Sequence, residues 1–239
     1  MTPLTADAYA VALGALMAML LSHTTLKLAL QVSSVRLGNG AGTLLLSSLA
    51  LGFGLWTTTF VRILALSGGQ PPRLGAPWLL LSLAIAVSCE ASALFFVACR
   101  EPDSSSIAGT AFALTVGVGA TRCVALDEVS AETMLHDSLA WACIWFPLTF
   151  LTFLGALRIW FDYRDRSWRS IAMRYAGTLA GALGIFGNDT PALAGSRWIF
   201  DPRFGSMAAP ASLLAIMSAA LGCAVLAVLS AMGAYGTER

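Results

Sequence analysis

The chain has 239 residues, of which 57% are hydrophobic and only 11% charged, with a net charge of +1. Soluble domains carry about 25% charged residues, so a surface facing water all round is excluded, as is a basic face for nucleic acid. With a mean hydropathy of +0.76, the composition is that of an integral membrane protein with no soluble domain of any size.

In chain order, apolar runs long enough to cross a bilayer predict seven transmembrane helices. They are Tyr9–Leu30, Thr43–Leu66, Pro77–Cys99, Ile107–Leu126, Ser138–Trp160, Ile171–Leu193 and Pro210–Gly233. Turn residues separate them at Gly38-Asn39-Gly40, at Gly68-Gly69-Gln70-Pro71-Pro72 and at Glu101-Pro102-Asp103-Ser104. A soluble helical bundle would need polar outer faces, and the last helix, from Pro210 to Thr237, has no charge at all. The first run is preceded by Asp7 and followed by Lys27, which favours an uncleaved first span over a cleavable signal. Nine of the 14 Lys and Arg residues fall in loops one, three and five and at the C-terminus. The positive-inside rule then puts the N-terminus outside and the C-terminus in the cytoplasm. The fourth loop holds Asp127, Glu128, Glu132, His136 and Asp137 on the outer side. Trp56, Trp78, Trp141, Trp145, Trp160 and Trp198 fall near predicted helix ends, as an interfacial belt should.

One stretch recurs three times: Gly54–Ile63 (GLWTTTFVRI), Gly117–Leu126 (GVGATRCVAL) and Gly184–Leu193 (GIFGNDTPAL), with starts 63 and 67 residues apart. Each copy closes an apolar run and turns polar about four positions after its leading glycine. The spacing leaves room for two spanning helices per unit. The chain therefore reads as a single transmembrane domain, residues 1–239. Its repeat units cover about 8–66, 77–126 and 138–193, with a terminal helix at about 210–233. Gly177 and Gly181 form a GxxxG step, and packing accounts for most glycines in the even-numbered helices.

The threefold, helix-pair arrangement resembles the bacterial MHYT domain, whose motif reads G-[LI]-x-x-M-H-[YF]-[TI]-G-M. Gly54-Leu55-Trp56-Thr57-Thr58-Thr59-Phe60 follows that frame, and Leu21-Ser22-His23-Thr24-Thr25-Leu26-Lys27-Leu28-Ala29 is similar to the family's first helix. The resemblance covers about residues 8–235. It implies a metal site, with copper as the metal, and the sensing of oxygen, carbon monoxide or nitric oxide. It also implies an output through cyclic-dinucleotide or kinase modules, to which family members are often fused. Here the Met-His positions hold Thr58-Thr59, Thr121-Arg122 and Asn188-Asp189, and the later Met is Ile63, Leu126 or Leu193. Hydroxyl, guanidinium and carboxylate groups do not select copper as thioether and imidazole do, so no cofactor is expected from this chain's own motif residues.

If the repeats pack around a pseudo-threefold axis, Thr59, Arg62, Arg122 and Asp189 converge near the outer face. An ionisable group at a helix centre costs about 2.5–3.5 kcal/mol on insertion scales, which pairing of Arg122 with Asp189, joined by Arg62, would offset. Such a cluster reads as a structural clamp, as a small-anion or polar-ligand site, or as plain exposure at the membrane boundary. Glu90 is an intramembrane carboxyl in the middle of the third helix, read either as a proton relay or as a neutral or hydrogen-bonded group, since burial disfavours the charged form. His23 shares a helix face with Met19. It reads as a hydrogen-bonded core residue or as half of a copper site. Of five cysteines, Cys89, Cys99, Cys143 and Cys223 read as small core residues, and Cys123 lies at an outer helix end. No nucleophile triad, phosphate loop, dinucleotide fingerprint or zinc pattern is present. The run Trp160-Phe161-Asp162-Tyr163-Arg164-Asp165-Arg166 reads as a headgroup anchor or a docking point for a cytoplasmic partner.

These features point to a non-enzymatic, multi-pass protein of the bacterial inner membrane, a sensory, regulatory or accessory subunit. It would act through a membrane or cytoplasmic partner, since the chain ends six residues after Gly233. Its expected partners are membrane lipids and another protein. The alternatives are a small-solute transporter or channel, and a structural subunit of a respiratory or photosynthetic complex.

Overall fold

The computed structural model describes residues 8–34, 37–66, 76–99, 103–127, 135–163 and 167–187. All of it is helical: α1 (Ala8–Ser34), α2 (Leu37–Leu66), α3 (Ala76–Cys99), α4 (Ser104–Asp127), α5 (Leu135–Asp162) and α6 (Trp168–Gly187). Six of the seven predicted helices therefore correspond to described elements, and the seventh, with the Gly68–Pro72 turn, lies outside them. Four are long and apolar enough to cross a membrane, over Ala12–Val32, Leu44–Val61, Leu80–Ala98 and Cys143–Asp162. α4 is diluted by Ser, Thr and Gly, and α6 carries Arg169 and Arg174. The result fits a multi-pass membrane protein.

Helix ends follow from capping chemistry. The Oδ1 of Asp103 accepts a 2.7 Å hydrogen bond from the Ser106 N–H, and its carbonyl accepts from the Ile107 N–H. Asp103 is thus the N-cap of α4, as the predicted turn requires. Ser167 does the same for α6, its hydroxyl accepting from the Ser170 N–H. Two expectations need correction. Gly38-Asn39-Gly40 is not a turn but the first turn of α2, which begins at Leu37. There the first N–H groups have no intrahelical partner in any case, so the weak helix formers cost little. His136 and Asp137 belong to α5, which starts at Leu135, rather than to a loop.

Each helix packs on the next, and α6 closes on α1, so the six form a ring; α1 also touches α3 and α5. Burial is inverted relative to a soluble protein. Leu45, Leu46, Leu80, Leu148, Leu151 and Leu183 point outward, while the interior holds many hydroxyls, among them Ser22, Thr25, Thr57, Thr58, Thr110 and Thr115. An apolar outer face is what lipid contact demands. The inward hydroxyls mostly donate to their own helix one turn back, as Thr58 does to the Gly54 carbonyl at 2.7 Å and Thr115 to the Ala111 carbonyl at 2.7 Å.

Glycines set the spacing between helices. A Cβ on Gly52 would sit 2.5 Å from the Cα of Val87, and one on Gly117 would sit 2.8 Å from the Cβ of Cys89. Gly181 meets the Ser22 hydroxyl, and Gly184 meets that of Thr152. Because the obstacle at Gly52 is backbone, Gly52→Ala should destabilise the bundle by about 1–3 kcal/mol. Gly155 has open space around it, so Gly155→Ala should leave stability unchanged or raise it by up to ~1 kcal/mol. Denaturant unfolding in detergent micelles checks both.

Candidate functional site

The end of α2 was expected to supply a polar cluster. Thr57, Thr58 and Thr59 are all buried there. Their hydroxyls are spent on their own helix: Thr57 donates to the Phe53 and Gly54 carbonyls, Thr58 to that of Gly54, and Thr59 to that of Leu55 at 3.1 Å. Arg62 and Arg122 belong to α2 and α4, with side chains outside the described set, and Asp189 lies outside the described residues. Thr121, 63 residues after Thr58 in the repeated frame, is fully buried. Its hydroxyl has no hydrogen-bond partner among the described residues.

His23 is half-buried, its ring edge-on to Trp160 at 5.4 Å and 73°. Trp160 in turn donates its indole N–H to the Arg174 carbonyl at 2.9 Å, and the Arg174 guanidinium carbon lies 5.9 Å from the Trp160 ring. His23 thus sits in an aromatic contact between α1 and α5. Met19, on its predicted face, is 40% exposed, and no group of three or more His, Cys, Asp or Glu is gathered among the described residues. Trp160 and Phe161 are buried, at 4% and 8%, so they do not anchor headgroups as expected. Trp168 and Tyr175, at 83% and 63%, are the exposed aromatics at that end of the bundle. Trp160 faces inward because its N–H finds a carbonyl there and Gly177 makes room for its ring. Cys143, expected in the core, is exposed.

The best-formed polar feature lies elsewhere. A small cavity in the middle of the ring is lined by Ser22, Thr25 and Leu26 of α1, Leu55 of α2, Glu90 of α3, Leu114 and Val118 of α4, Phe153 of α5 and Ile185 of α6. All six helices contribute. Leu55, Val118 and Ile185 each follow the leading glycine of one of the three recurring stretches. Equivalent positions of the three copies therefore meet at one point. Glu90 is 3% exposed, and its Oε2 has no hydrogen-bond partner among the described residues. It is the one buried acidic or basic side chain among the described residues; the other buried polar side chains are Ser and Thr. The Ser22 hydroxyl donates to the Thr178 carbonyl at 2.9 Å, tying α1 to α6 beside the cavity.

The chain is similar to a bifunctional diguanylate cyclase/cyclic di-GMP phosphodiesterase, MucR of Pseudomonas aeruginosa. The two are 27% identical over 192 residues, which cover 79% of this chain and 27% of MucR. This chain thus matches about a quarter of that relative's length. No protein-family model matches it, and no solved structure matches it.

Reading the residues one at a time singled out Glu90 but missed its surroundings. Ser22 and Thr25 stand three apart, on one helix face, which was a legible signal. So was the position shared by Leu55, Val118 and Ile185. The Trp160 contacts carry a test. Trp160→Phe removes a buried indole hydrogen bond and should cost about 0.5–1.5 kcal/mol, whereas Trp168→Phe at the exposed position should stay within about 0.5 kcal/mol. Unfolding in micelles distinguishes the two.

Proposed function

We propose that this chain is a sensory or regulatory membrane module of the MHYT type, multi-pass in the bacterial inner membrane with its N-terminus outside. It catalyses no reaction itself and passes a signal to a membrane or cytoplasmic partner. The observation that carries this reading is the similarity to MucR, whose name assigns it the synthesis and breakdown of cyclic di-GMP. Because the match spans 27% of that protein, those two activities are not transferred to this chain. A signalling context is what the likeness supports.

The MHYT reading draws on the three glycine-led stretches and on the meeting of Leu55, Val118 and Ile185 at one cavity. The metal that this reading implies does not fit. Thr58 and Thr59 stand at the first Met-His position, and both hydroxyls donate within α2. A buried threonine hydroxyl, Thr121, stands at the second Met position. These are hard oxygen groups with no preference for copper, so the mechanism uses no metal. The clamp expected of Arg62, Arg122 and Asp189 beside Thr59 rests on side chains outside the described set. Lipid surrounds the apolar faces, and the signal leaves through helix contacts or the basic fifth loop.

A second reading, transport of a small solute, is favoured by the cavity at mid-bundle, since transporter sites sit near the membrane midplane between repeats. Deleting the chain from its host should change cellular cyclic di-GMP severalfold, measured by mass spectrometry, with no solute flux through the purified protein in liposomes. Unchanged cyclic di-GMP together with flux by the isolated chain would replace the first reading with the second.

A further inference from the structure

The central cavity has the features of a site rather than a packing defect. Glu90 lies near the middle of the Leu80–Ala98 span, Ser22 near the middle of Ala12–Val32, and Phe153 near the middle of Cys143–Asp162. The cavity is therefore at the level where a charge is hardest to solvate. The Oε2 of Glu90 is buried without a partner among the described residues. Beside it is room for about one water molecule, in a largely apolar cavity that Ser22 and Thr25 help to line. Ser22 has committed its proton to the Thr178 carbonyl, so its oxygen is left as an acceptor. A buried water needs two to four polar partners, and the Glu90 carboxyl, the Ser22 oxygen and the Thr25 hydroxyl are the ones these lining residues offer.

Among the described residues, the groups around Glu90 leave its charge uncompensated. α2, α4, α5 and α6 present only apolar side chains to the cavity, and α1 presents Ser22, Thr25 and Leu26. His23 and Lys27, the titratable residues of α1 nearest in sequence, do not line it. Cys89, next to Glu90 on α3, packs toward Gly117. With no cation facing it among the described residues, a carboxylate here would be both buried and unpaired, which is the costliest arrangement for a charge.

We propose that Glu90 and this cavity form a proton-binding site, in which the carboxyl carries a solvent-exchangeable proton and holds one internal water against Ser22 and Thr25. Loading the site takes one proton from solvent and leaves a neutral acid, whose O–H donates to the water. The water donates in turn to the Ser22 oxygen and accepts from the Thr25 hydroxyl. The site does not depend on the signalling role, and its test is independent of the cyclic di-GMP measurement.

Infrared spectroscopy of the full chain in lipid vesicles tests it. At neutral pH the wild type should show the C=O stretching band of a protonated carboxyl, shifted to lower frequency in deuterium oxide and lost in Glu90→Gln. Uniform labelling with heavy-carbon glutamate should move the same band in the unsubstituted chain, which keeps the test decisive if Glu90→Gln fails to fold. Thr25→Val should shift the band by removing one partner of the water. Absence of the band at neutral pH would overturn the proposal. So would a band that ignores deuterium oxide, which marks a sealed structural acid. A band abolished by sodium at constant pH would mark a site for an alkali cation instead, and a band unmoved by Thr25→Val would remove the water.

Discussion

Close approach of helix backbones at glycine is the constraint on which the rest of this structure rests. In a bilayer a leucine gains little by leaving lipid for a neighbouring helix, so association depends on van der Waals contact and interhelical hydrogen bonds. Gly52 lets α2 lie on the backbone of α3, Gly117 lets α4 lie on Cys89, and Gly181 and Gly184 let α6 lie on α1 and α5. The same contacts bring α6 back to α1 and close the ring. At the seam, the Ser22 hydroxyl reaches the Thr178 carbonyl, a hydrogen bond that only such close packing allows.

Closing the ring creates an interior away from lipid. Polar groups there need partners, and most of the hydroxyls find one in a carbonyl one turn back. Thr57, Thr58 and Thr59 therefore pack as quietly as valines despite their sequence. Against that background Glu90 stands out. A carboxyl cannot be silenced by its own helix as a hydroxyl can, because backbone N–H groups in mid-helix are already used. It needs a proton, a water or a cation, and the cavity beside it has room for about one water.

The similarity to part of a cyclic di-GMP enzyme and the inward convergence of the three glycine-led stretches concern different properties of the chain. The first places the chain near signalling proteins. The second concerns how the helices are arranged: Leu55, Val118 and Ile185 stand at one level because the stretches begin after comparable numbers of residues and their helices run through the same ring.

Where the helices lie was legible in the residues. An apolar run must match the hydrocarbon thickness at 1.5 Å per residue, and the turn predicted at residues 101–104 ends where Asp103 caps α4. Which face of each helix points inward was not. Lipid and a neighbouring helix are equally apolar, so a spanning helix need not show the polar stripe that reveals the outer face of a soluble one. Trp160 looked like an interfacial aromatic and proved to be buried against α6, while Cys143 looked like core and faces outward. Glu90 could be seen as an intramembrane acid, but its role depends on what α1 sets opposite it. Only the packing of the ring decides that, because Ser22 and Thr25 lie far from Glu90 along the chain and come to share its cavity through glycine contacts between helices.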